Sequence, residues 1–282
     1  MRVLVTGRGG ESGSWKIRGE QLGRAIGATV EANANGVRWY DLAVVVKRPR
    51  ADLLERLRQR GVPVVWDVVD AWPQPEGNAD DWDRERCMAW LRREVQHVRP
   101  AAIVAATAGM AADCAEFGVP VLALPHHARP GIERNPIRPR VRLVGYEGGA
   151  QYLDGWREAI EQECAARGWD FTAAPRRLAD LDIVLALRGQ RGYAPRHWKS
   201  NVKLANAQGS GTPCILSGEA GYAWTACGAE MWADTREELS FALDDLSSYD
   251  RRAHVGRTLL SADVRLESVA RVYAQWLSAL SF

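Results

Sequence analysis

Short apolar runs alternate with segments of helical period along almost the whole chain, and few architectures accept that alternation. A run of four to six Val, Ile, Leu or Ala residues has no polar face, so a strand built from it must be covered on both sides. The segments between the runs are long enough to be the covering helices, which makes the fold class α/β with parallel sheets. In the first half the runs predict strands over Arg2–Thr6, Leu42–Val46, Val62–Asp67, Ala101–Ala105 and Val119–Leu124. Helices are predicted over Ile17–Ile26, Arg50–Arg60, Arg84–Val98 and Thr107–Phe117; in the third, Met88, Leu91, Val95 and Val98 recur every three or four residues as one apolar stripe.

The pattern stops at Pro125–Pro139, PHHARPGIERNPIRP, where four prolines and a glycine replace any periodicity, as in a linker. It restarts with strands over Val141–Val144, Asp170–Ala173, Asp182–Leu187 and Pro213–Ser217 and helices over Gln151–Arg167 and Trp198–Gly209. Helices over Arg236–Leu246 and Asp263–Leu280 close the chain. The expected division is a first domain over residues 1–125, a linker over 126–140, a second domain over 141–262, and a C-terminal helix over 263–282 that packs back on the first domain. Two such domains facing across a cleft put their strand ends where open α/β sheets bind ligands.

With 282 residues and 46% apolar content the chain builds a large core, and no run approaches a membrane span. Met1–Val5 reads as a first strand rather than a secretion signal, so a cytoplasmic location is expected. A net charge of +2 demands no polyanionic partner, but five arginines and one acid crowd His126–Arg142, a cluster able to concentrate anions. The five cysteines are far apart with no C-x-x-C pair, which fits buried apolar residues better than disulfides or a zinc site.

Glycine-rich turns after strands mark the candidate sites. TGRGGESGSWKIRG frees backbone amides at Gly9 and Gly10 for a ligand, with Trp15, Lys16 and Arg18 expected to point into the cleft; Ser12 stands where a dinucleotide fingerprint needs its third glycine. VVWDVVDAW puts Asp67 and Asp70 at the end of a central strand, where one of them takes a proton from an attacking hydroxyl or Asp67 braces the loop. His126 and His127 end the fifth strand as acid–base candidates or hinge residues, and they lack the further ligands of a metal site. In the second half, Gly148 and Gly149 open a seat for a diphosphate whose charge Arg188 and Lys199 neutralise, with Ser200 and Asn201 as neutral donors. Glu219, in the turn ending at Tyr222, is placed to accept hydrogen bonds from sugar or ribose hydroxyls.

From Val141 to about Ser248 these motifs, VGYEGG, DIVLALR, HWKSNVKLANAQGSGTPCILS and the Glu-Ala-Gly turn, resemble the donor-binding domain of GT-B glycosyltransferases. The first half resembles their acceptor domain more loosely through its glycine loop, DVVDAW and PHH. The resemblance implies two Rossmann-like domains, a nucleotide diphosphate sugar (a UDP-sugar) as co-substrate, transfer to an acceptor hydroxyl, and no catalytic metal or other cofactor. Many retaining members hold the ribose with a glutamate before the G-T-P turn; this chain has Asn206 there. Its small size and cationic residues are similar to phage enzymes that glycosylate hydroxymethylated DNA bases, which makes such DNA one acceptor the resemblance implies; the basic clusters are equally compatible with a phosphorylated or lipid-linked acceptor. A nucleotide-sugar epimerase and a non-catalytic nucleic-acid-binding protein are the alternatives.

Overall fold

The computed structural model describes residues 1–10, 13–36, 39–73, 81–153, 155–189 and 192–281. Ser12 of the first loop and Asp154 of the expected Gln151–Arg167 helix lie outside them. The chain divides into two compact units: Met1–His126 with Arg191–Ser200 and Leu266–Phe282, and His127–Gln190 with Asn201–Arg265.

The first unit is built on β1 (Val3–Gly7), β2 (Thr29–Val30), β3 (Leu42–Val46), β4 (Val64–Asp67), β5 (Ala102–Ala105) and β6 (Val121–Ala123), in the order β2-β1-β3-β4-β5-β6 with parallel pairing. The register matters more than the order. Gly7 pairs with Val46 and Val46 with Asp67, so the first glycine loop, Lys47 and the Asp67–Asp70 turn leave the sheet side by side. β3 is buried on both faces, as its uninterrupted LAVVV requires.

Helices follow the expected segments, with one irregularity. Trp15–Gln21 is a π-helical turn that leads into a short α-helix, Leu22–Ala25. A methyl group on Gly19 would lie 2.3 Å from Cε3 of Trp15, and one on Gly7 would lie 3.0 Å from the same atom, so two glycines make the slot in which the indole is buried. The helix Leu266–Ala279 puts Val269, Ala270, Tyr273 and Leu277 into the same core layer as Trp15, Val5 and Val44.

Residues 193–200 also belong to this unit. Asp113 holds them: its Oδ2 accepts from Trp198 Nε1 and from the Tyr193 hydroxyl, both at 2.8 Å, while its Oδ1 takes Arg84 Nη2 at 2.8 Å. Trp198 is fully buried against Trp72 and Trp90. That anchoring explains a departure from the sequence reading. The helix expected over Trp198–Gly209 begins only at Val202 and ends at Ser210, with a separate short helix, Tyr193–His197, before it, because the buried indole takes Trp198 out of the helical path.

The second unit has β7 (Leu143–Tyr146), β8 (Asp170–Ala173), β9 (Ile183–Ala186), β10 (Cys214–Leu216) and β11 (Met231–Trp232), parallel in the order β11-β10-β9-β7-β8. Tyr146 pairs with Leu185 and Leu185 with Ile215, which brings the loops after β7, β9 and β10 to one edge. The expected helix from Gln151 starts later, at Arg157, because Gly155 turns the chain with φ 79° after a 3₁₀ turn at Ala150–Leu153. A helix over Tyr249–Leu259, capped by Ser248, was not expected.

The proline-rich segment is bound along the second unit rather than strung free. Ala128 N donates to Val264 O (2.8 Å), Asn135 N to Ser210 O (2.7 Å) and Asn135 Nδ2 to Leu181 O (2.7 Å). Arg138 reaches Ala179 O at 2.9 Å and the buried Asp182 at 3.4 Å. A segment without periodicity is thus held by its own backbone amides and by side chains that satisfy backbone carbonyls.

Candidate functional site

In the second unit three loops end on one group of polar side chains. β7 is followed by Glu147, Gly148 and Gly149, β9 by Leu187 and Arg188, and β10 by Ser217, Gly218 and Glu219. Arg188 Nε lies 3.4 Å from Glu219 Oε1, the carboxylate being fully buried and the guanidinium nearly so. The guanidinium stands over the Tyr152 ring at 5.6 Å, and the Arg188 backbone N donates to Ser217 Oγ at 3.0 Å. Tyr222 is buried beside the pair. Burial first, then the Glu219 charge, push its phenol well above the ordinary range, so it stays protonated.

A second cation at this edge, within the same unit, is Lys203. Lys203 Nζ donates to the Tyr146 hydroxyl at 2.8 Å and sits 4.1 Å from the centre of the Tyr146 ring. A methyl group on Gly148 would stand 3.1 Å from the same ammonium, so the glycine is what lets the cation and the loop backbone approach. Asn206, one turn further along the helix, has both ends of its amide in use. Its Nδ2 donates to Glu147 Oε1 at 2.7 Å, and its Oδ1 accepts from Arg129 N at 2.8 Å. Glu147 also pairs with Arg129 at 2.9 Å, while its Oε2 is buried with no hydrogen-bond partner among the described residues. Burial drives the Glu147 carboxyl upward despite Asn206 and Arg129.

Lys199 falls in the first unit. Its ammonium is 3.5 Å from Asp70 Oδ2 and 5.4 Å from the Trp72 ring. Lys199, read from sequence as a phosphate partner of Arg188, is thus placed in the first unit, where the Trp198 anchor carries it together with Ser200. Ser200 is the last residue of that segment, and Asn201 stands at the N-cap of the Val202–Ser210 helix in the second unit; both are buried.

Asp70 takes three donors: Ser14 Oγ at 3.0 Å, Lys47 Nζ at 2.9 Å, and Lys199. Burial works to raise this carboxyl, but Lys199, Lys47 and Ser14 outweigh it and hold it at about 2. A carboxylate so depressed is a weak base at neutral pH. It contributes stability that is complete above its unfolded value of about 3.9 and is lost as pH falls through 2, worth roughly 2–3 kcal/mol. Asp70→Asn is expected to lose that increment at pH 7 and to flatten the acid limb between about pH 5 and 2, which urea titrations at stepped pH measure.

Two of the acceptor-side candidates are buried. Trp15 is buried, with its Nε1 on Glu20 Oε1 at 3.1 Å. Arg18 is buried too, donating to Leu124 O and lying 3.8 Å from Asp67 Oδ2, since the π-helical turn aims it under the sheet ends. Burial raises the Asp67 carboxyl against the pull of Arg18. Gly9 and Gly10 have φ of 71° and 79°, and Gly9 packs so tightly on Ala32 that a methyl group would meet it at 2.6 Å. His126 and His127 are both buried; His127 Nδ1 is 2.8 Å from Ala128 O. A carbonyl only accepts, so Nδ1 carries the proton and Nε2 is the basic nitrogen.

Among the described residues no three His, Cys, Asp or Glu side chains gather as metal ligands, and no helix is long and apolar enough to cross a membrane. No protein-family model and no curated protein sequence matches the chain. Solved structures do match its fold. HepE of Anabaena, solved with UDP and glucose, superposes with a TM-score of 0.67 at 12% identity, covering 99% of this chain and 100% of that one. Sucrose-phosphate synthase from Thermosynechococcus elongatus gives 0.63 at 13% identity over 99% and 100%. The α,α-trehalose-phosphate synthase (UDP-forming) of Burkholderia vietnamiensis gives 0.55 at 12% over 85% of this chain and 74% of its own. The chain has the GT-B fold, two α/β units with six- and five-stranded parallel sheets.

Proposed function

We propose that the protein is a metal-independent glycosyltransferase that moves a sugar from a nucleotide diphosphate sugar, a UDP-sugar, to an acceptor hydroxyl, and that it works in the cytoplasm. The observation that carries this reading is the pair of cations at one sheet edge, each braced before any ligand arrives: Arg188 by Glu219 and Lys203 by Tyr146. The departing nucleoside diphosphate gains negative charge as the bond to the sugar breaks. Fixed cations stabilise that growing charge without reorganising, which is the work a metal would otherwise do. The fold shared with HepE, solved with UDP, and with a UDP-forming synthase supports the nucleotide assignment.

On this reading Gly148 and Gly149 face the diphosphate and Glu219, Tyr222 and Glu147 border the sugar and ribose. Asn206, saturated by Glu147 and Arg129, positions Glu147 rather than touching the ribose. For the proton of the acceptor hydroxyl, His127 is the better base than Asp70, given its basic Nε2. A modified base in phage DNA stays one acceptor to test, although Arg129 and Arg138 of the arginine cluster are already paired with Glu147 and Asp182.

The test is a donor screen. A nucleotide that binds only the native state at a hundredfold excess over its Kd adds about 2.7 kcal/mol of stability. UDP and UDP-sugars are expected to raise the melting temperature by several degrees, with no requirement for a divalent ion. His127→Gln should keep that shift and lose transfer to glycosidic product by more than tenfold. No shift with any nucleotide diphosphate would remove the reading, and epimer formation from donor alone would favour an epimerase.

A further inference from the structure

We propose that the first unit carries a binding pocket for a small phosphomonoester, in which the guanidinium groups of Arg8 and Arg48 take the phosphate. As a binding site it stands on the pocket alone; as the seat of the sugar acceptor it rests on the glycosyltransferase reading.

A cavity of about 280 Å³ opens at the ends of β1 and β3, lined by Arg8, Gly9, Ser14, Trp15, Lys47 and Arg48. Its cations are held in a particular way. Arg48 donates from Nε to Ala71 O at 2.8 Å and from Nη2 to Trp72 O at 2.7 Å; Arg8 donates from Nε to Arg48 O at 3.1 Å. Backbone carbonyls fix the direction of a guanidinium but do not neutralise it. Among the described residues neither arginine is in an ion pair, and the carboxylate next to the cavity, Asp70, is spent on Lys47 and Lys199. A pinned, uncompensated double cation with spare N–H donors matches a phosphate dianion and its several acceptor oxygens.

The backbone supports the same reading. Lys47 and the β-branched Val69 both have left-handed φ, 65° and 51°, conformations that persist only where the surroundings impose them. Lys47 is imposed on from both sides, its N–H donating to Asp67 O and its carbonyl accepting from Trp66 Nε1, each at 2.8 Å. The strain turns the chain sharply at the end of β3, so that Lys47 and Arg48 both line the cavity.

Size selects the ligand. The volume is at the low end of small-molecule pockets, roughly 300 Å³, and Trp15 gives it one apolar wall, which suits a phosphate joined to a sugar ring better than a polymer backbone needing an open groove.

Isothermal titration with inorganic phosphate, glucose, glucose 6-phosphate and a single-stranded oligonucleotide tests this on the intact protein. Glucose 6-phosphate is expected to bind at least tenfold tighter than glucose, with inorganic phosphate competing for it. Arg8→Gln and Arg48→Lys should each weaken it by tenfold or more while UDP affinity stays within twofold, which also shows that the variants fold. Equal affinity for glucose and its phosphate, unchanged binding in both variants, or displacement by the oligonucleotide would overturn the proposal. Phosphate binding without UDP binding would leave the pocket standing and remove the transferase reading; the converse would do the reverse.

Discussion

Lys203→Ala is expected to weaken UDP binding by about 10- to 100-fold, the 1.5–3 kcal/mol of a lost hydrogen bond to a charged group, while Lys199→Ala leaves it within about twofold. The two lysines are four residues apart in one basic stretch, and their surroundings give them different work. Lys203 is held on Tyr146 against Gly148, at the sheet edge that Arg188 also borders. Lys199 offsets the charge of Asp70 in the first unit. Lys199→Ala should therefore register as a stability loss that vanishes in the Asp70→Asn background, because Asp70→Asn already removes that interaction together with those of Lys47 and Ser14. Titration calorimetry with UDP separates the cases, and a large loss of affinity on changing Lys199 alone would put the nucleotide on the wrong segment here.

The second large effect is on folding. Arg188→Ala takes the cation from a fully buried carboxylate, and breaking a buried pair from one side costs about 3–5 kcal/mol. The sign of its pH dependence follows from what is left behind. Without Arg188 the Glu219 carboxyl is pushed upward in the folded state, so the variant loses more stability as pH rises above the unfolded value of about 4.3. Denaturant midpoints at pH 5 and pH 8 should diverge in the variant more than in the parent. Arg188→Met combined with Glu219→Gln removes both charges and should recover most of the loss. A double variant no better than the single would mean that the pair is not coupled.

Periodicity carried the architecture. LAVVV, VVWD and IVLA are too apolar to be anything but strands covered on both faces, and the helices with clear stripes sit where the stripes are. The two-residue edge strands at Thr29 and Met231 were illegible because pairing, not composition, makes them strands. The candidate site was legible in kind but not in partition. Glycine turns and cations stood out, yet nothing local in HWKSNVKLANA says that Trp198 is claimed by Asp113, some eighty residues away, and that the stretch is divided between units. Nor does an arginine in WKIRG look different when it faces a ligand and when it is buried against Asp67. Asn206, in the position where many retaining GT-B enzymes carry a glutamate, touches Glu147 just after β7, a substitution in space that reading along the chain does not show.

Neither half of this protein is a contiguous stretch of gene. The first unit needs residues 192–200 to complete the Trp72–Trp90–Trp198 cluster and residues 266–281 to put Tyr273 beside Arg18 and Asp67. A fragment stopped at His126 would lose the Trp198 indole and Tyr273 and leave Trp72 and Trp90 uncovered, so trading donor halves between relatives succeeds only if the graft leaves both inserted pieces behind.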